Sequence, residues 1–101
     1  MEITIKDNIY TIKYTLRSLF IFEQITGKAF ALKSITDEYL FIYCLILANV
    51  PDLQLSFDDF ISDCDSNPVM VVEMQKFIAM EMNKQAVFMS ATDEVDSKKK
   101  I

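Results

Sequence analysis

At 101 residues the chain is long enough for one domain and too short for two. Hydrophobic side chains make up 51% of it, which supplies a core and excludes a wholly disordered chain. The net charge is −5, and three of the ten basic residues are Lys98–Lys100, which leaves seven against fifteen acidic side chains over residues 1–97, so nucleic acid and anionic membrane surfaces are disfavoured as partners.

Glu2-Ile3-Thr4-Ile5-Lys6 alternates polar and apolar side chains, and Asn8 to Tyr14 does so less strictly, which predicts a β-hairpin over residues 2–14. Asp7-Asn8 is expected at its turn, because both residue types tolerate a left-handed backbone. Thr15 reads as a helix N-cap and Gly27 as the residue after the last helical turn, which bounds a first helix over 16–26. Leu16, Leu19, Phe20, Ile21, Phe22 and Ile25 spread around much of that helix, so cover is expected on more than one side, from the hairpin and from the second helix.

Lys28 to Lys33 forms a connector that Phe30 and Leu32 hold down. A second helix is expected over 37–49, opened by Ser34 or Thr36 and stopped by Pro51. Its run from Tyr39 to Ala48 is the most hydrophobic in the chain. That run is about half of the ~20 residues that cross a bilayer, so it belongs at the centre of a soluble core. Ser56 caps a short third helix over 57–64, with Asp58 and Asp59 where negative charge meets the positive end of the helix dipole. Asn67-Pro68 opens the last helix, over 68–89, with Pro68 at the first helical position, where its missing N–H costs nothing. Residues 90–101 are polar and charged and are expected to form a disordered tail. The fold class is therefore α+β and mostly α: an N-terminal β-hairpin packed on a bundle of about four helices, as one globular domain over 1–89.

The hairpin followed by a helix reading Leu16-Arg17-Ser18-Leu19-Phe20-Ile21-Phe22-Glu23-Gln24-Ile25-Thr26-Gly27 resembles the small tail assembly chaperones of long-tailed, siphovirus-like phages and prophages. The Phe-Glu-x-x-Thr-Gly end, Phe22 to Gly27, is its most recognisable part, and the likeness covers roughly the first half of the chain. The resemblance implies a non-enzymatic chaperone in the host cytoplasm that binds the tape-measure protein, with tail-tube subunits as a further partner, and that is absent from the mature virion.

The residues themselves argue against chemistry. There is no histidine, which removes the commonest general base and metal ligand. A single glycine leaves no phosphate-cradling loop. Cys44 and Cys64 form no Cys-x-x-Cys pair, and Glu2, Lys6 and Asp7 interrupt any secretory apolar run, so free thiols in a reducing cytosol are expected. Asp63-x-Asp65-x-Asn67 imitates the start of a calcium loop, but Pro68 stands where glycine is needed and Met74 where a bidentate glutamate is needed. No catalytic residue, metal or cofactor is assigned.

The last helix is rich in methionine. Met70, Met74, Phe77, Ile78, Met82, Phe88 and Met89 fall on one stripe that packs on the second helix. Val72, Met80 and Val87 fall on the other side, where a single packing face does not use them. With Phe88 and Met89 they form the candidate partner-binding surface, since methionine suits surfaces that accept variable apolar partners. Thr15, Gly27, Ser56 and Pro68 are structural. A small domain of this kind is also open to self-association. Two other readings stand beside the chaperone: a structural tail or head–tail connector component, and a small cytosolic protein-binding regulator.

Overall fold

Lys6 and Asp7 both adopt positive φ, 50° and 66°, and Ile5 pairs directly with Asn8. They are thus the two central residues of the hairpin turn, in the left-handed geometry that matches the twist of the flanking strands. The turn lies one residue earlier than the expected Asp7-Asn8. Asn8 already belongs to the second strand and steadies the turn from its side chain, its Nδ2 donating to the Lys6 carbonyl at 3.3 Å. The strands are β1 (Glu2–Ile5) and β2 (Asn8–Thr11), paired antiparallel. Beyond β2 the pairing lapses into a last rung in which the Ile12 N–H donates to the Met1 carbonyl at 2.6 Å. In this computed structural model the backbone is described for residues 1–100 and the side chains for residues 1–84.

Four helices follow: α1 (Leu16–Thr26), α2 (Ile35–Asn49), α3 (Phe57–Ser66) and α4 (Pro68–Lys100). The architecture is a two-stranded hairpin with four helices, α+β and mostly α. Thr15 caps α1, its hydroxyl accepting from Ser18 N–H at 3.3 Å. Ser34, and not Thr36, caps α2 by accepting from Asp37 N–H at 3.1 Å, so α2 starts two residues before the expected 37. Asp37 then reaches back to accept from Lys33 N–H at 3.0 Å. Ser56 caps α3 in the same way through Asp59 N–H at 3.1 Å. That helix continues past the expected 64 to Ser66, because Asn67 serves both ends of the α3–α4 junction. Its N–H donates to the Asp63 carbonyl at 3.0 Å, and its Oδ1 accepts from Met70 N–H at 3.3 Å. Pro68 is the first residue of α4.

Two expectations are corrected on α4 and α1. The backbone of α4 runs on to Lys100, past the expected end at 89 and through most of the segment expected as a disordered tail; Ile101 lies outside the described residues. After Pro68 the sequence offers no glycine or proline to break the helix. Helix α1 is covered on one side only. Its buried residues are Ser18 and Phe22, while Leu16, Phe20 and Ile25 are exposed. The strands end at Thr11, and Ile3, Ile5 and the following Ile12 are buried in the core, so the hairpin does not wrap the far side of α1.

The centre belongs to α2, whose Phe41, Ile42, Cys44, Leu45 and Ile46 are all buried. Phe41 is an aromatic hub: Phe30 lies 4.8 Å away, Tyr14 5.9 Å and Phe22 6.1 Å between ring centroids. These tilted and edge-on contacts fasten the connector, the hairpin exit and α1 to one side chain. A second cluster joins Tyr43 to Phe57 and Phe60 of α3. Met70, Val71, Met74 and Ile78 bring the first turns of α4 into the same core.

The end of α1 shows what the Glu23-x-x-Thr26-Gly27 pattern does physically. Gly27 has φ 69° and its N–H donates to the Glu23 carbonyl at 2.8 Å, a left-handed helix stop. The Thr26 hydroxyl donates to the Phe22 carbonyl at 2.9 Å and accepts from Lys28 N–H at 3.2 Å. The Glu23 carboxylate accepts from Phe30 N–H at 2.7 Å. The motif ends the helix and aims Phe30 at Phe41.

Candidate functional site

Helix α4 leaves the core with one face unused. Val69, Val72 and Met80 are 65%, 47% and 58% exposed. At 100° per residue, Val69, Lys76 and Met80 lie in one column with Val72 at its edge, opposite the buried Met74 and Ile78. Glu73 and Lys76 are exposed on the same face, so its apolar side chains are interspersed with one anion and one cation. Val72 and Met80, singled out from the sequence, are on it; Val69, which was not singled out, joins them. The side chains of Val87, Phe88 and Met89 lie outside the described residues.

Beside this face a groove runs between α2 and α4. Its inner lining is Leu32, Ile42, Ile78 and Met82, and the exposed Glu38, Gln75 and Ala79 stand at its edge. The cavity holds about 150 Å³. Sequence periodicity did not reveal it, because a groove is a property of two helices and the spacing within each one reports only its own buried face. A third feature is a shallow depression on the bare side of α1, formed by Leu16, Arg17, Phe20, Ile21 and Gln24. Its signal was present in the sequence, in apolar residues too widely spread for one neighbour to cover.

The two cysteines are poorly placed to act as nucleophiles. Both cysteines are unpaired and buried, and burial pushes the Cys44 thiol up to about 12 and the Cys64 thiol up to about 11. A thiol so shifted carries almost no thiolate near neutrality. No three His, Cys, Asp or Glu side chains among the described residues are grouped to hold a metal ion. Asp63 Oδ2 is the one enclosed side-chain oxygen or nitrogen among them without a hydrogen-bond partner. None of the described helices is long and apolar enough to cross a membrane.

No family model, curated protein or solved structure matches the chain. What the arrangement offers is therefore read from its own surfaces: exposed apolar side chains on helices and a narrow groove between two of them, edged by Glu38.

Proposed function

We propose that this chain is a non-enzymatic assembly chaperone of a phage or prophage tail, which binds the tape-measure protein in the host cytoplasm and keeps it soluble until the tube encloses it. The observation that carries the reading is the outer face of α4, where Val69, Val72 and Met80 stand exposed on a helix whose other side is anchored in the core. A long helical partner exposes apolar stripes that aggregate, and a small acidic domain with an apolar helix face can cover them. The net charge of −5 keeps such a complex dispersed. The choice of partner rests on the resemblance of the first half of the chain, with tail-tube subunits as the second candidate.

Co-expression with the tape-measure gene of the same tail cluster tests it. The tape-measure protein is soluble with this chain and aggregates without it, and mass spectrometry of purified particles finds no copy of this chain. Equal solubility in both cases overturns the reading, and recovery of the chain in stoichiometric amounts from virions makes it a structural component instead.

A further inference from the structure

The groove between α2 and α4 has one charged residue on its lining, Glu38. Glu38 is exposed, and the one ion pair among the described residues is Glu81–Lys84, so its carboxylate forms no ion pair with any of them. The rest of the lining is apolar apart from Gln75. One turn before Glu38, on the same side of α2 as Ile42, stands Ile35, 74% exposed. The cavity, about 150 Å³, is well short of the roughly 300 Å³ at which small-molecule sites begin. It has room for a large apolar side chain delivered from outside.

We propose that this groove receives a basic amphipathic helix of a partner protein. One apolar side chain of that helix enters between Ile42 and Ile78, a second covers Ile35, and a lysine or arginine one turn away meets Glu38. An acidic helix would set like charge against Glu38 and against a body that is already negative, which selects the sign of the partner. The inference rests on the chain being a helix-binding protein and extends that reading to a second surface, whatever the partner's identity.

The test titrates the full chain into a fluorescent amphipathic peptide of about 18 residues made of leucine and lysine, long enough to form a helix on binding. Wild type binds it, and binds a leucine–glutamate counterpart at least about tenfold more weakly. Glu38→Lys weakens the lysine peptide about tenfold, while Asp52→Lys, the same charge change at an exposed turn beyond the opposite end of α2, alters it by less than about twofold. Ala79→Phe fills the groove from an exposed position and weakens binding about tenfold or more. Equal losses in E38K and D52K, or wild-type binding by A79F, overturn the proposal. The peptide carries no tape-measure sequence, so this experiment and the co-expression experiment fail independently.

Discussion

Asn49, the last residue of α2, is paired amide to backbone with Lys13, thirty-six positions earlier in the chain. Asn49 Nδ2 donates to the Lys13 carbonyl at 2.8 Å, and Lys13 N–H donates back to Asn49 Oδ1 at 2.9 Å. The same Nδ2 also donates to the Leu45 carbonyl at 2.8 Å. One side chain thus satisfies both backbone groups of Lys13, just past the hairpin, and closes the end of the central helix. Asn49→Ala leaves these groups unpaired and should lower stability by about 1–3 kcal/mol. Asn49→Asp removes the donor and should cost a comparable amount. Urea denaturation checks both, and an unchanged midpoint in N49A would show that water replaces the pairing.

Gly27 holds φ 69°, and a Cβ added there would meet no atom within 4 Å. The cost of Gly27→Ala is therefore backbone strain alone, about 1–2 kcal/mol. Gly27→Asn should lose less, since asparagine visits the left-handed region more readily. A loss in G27A above about 3 kcal/mol, measured by thermal or urea unfolding, would mean that the turn also packs against something.

Phe41 bridges three aromatic partners, Tyr14, Phe22 and Phe30, and is fully buried. Phe41→Ala should cost about 3–5 kcal/mol, while Phe41→Leu fills most of the space and costs less. Equal losses in the two variants would place the energy in the aromatic contacts and not in the cavity.

Alkaline pH should destabilise the fold in a defined window. The ordinary thiol value of 9.0 applies to the unfolded chain, against about 12 for folded Cys44 and about 11 for folded Cys64. The unfolded chain releases these protons while the folded chain keeps them. The stability contribution is therefore full below about pH 9 and is lost as pH rises toward 11–12. Burial also raises Tyr14 and Tyr43, with the same sign above pH 10. Comparing the urea midpoint of wild type and C44A/C64A across this window isolates the thiols: the double variant falls less steeply. Parallel slopes would mean that the thiols do not contribute.

On the outer face of α4, Val72→Ser with Met80→Ser should change stability by less than about 0.5 kcal/mol per site, because both side chains are exposed. The same pair should abolish solubilisation of a co-expressed tape-measure partner. Retained solubilisation with unchanged stability would move the contact to another surface.

Most of the fold was legible in the sequence. Thr15, Ser56, Gly27 and Pro68 mark helix ends by chemistry that acts within four residues, and the apolar run of α2 had only the interior to go to. Misreadings arose where a distant contact overrode a local signal or where two local signals were equally good. Asp7-Asn8 is the better turn by residue type, yet strand register pairs Ile5 with Asn8 and puts Lys6 at positive φ. Ser34 and Thr36 were both acceptable caps, and Ser34 bonds Asp37 N–H.

The candidate surfaces were less legible. Periodicity along α4 already showed apolar side chains that its core contacts do not need, and Thr26-Gly27 marked the Phe22 to Gly27 segment as a helix end. It took the packing of the elements to leave α1 bare along Leu16, Phe20 and Ile25, to fasten Phe30 against the core through Glu23, and to enclose a groove edged by Glu38 between Leu32, Ile42, Ile78 and Met82. Caps and turns are settled by neighbours in the chain, whereas exposure and cavity shape depend on which other element arrives and how much of a helix it can cover.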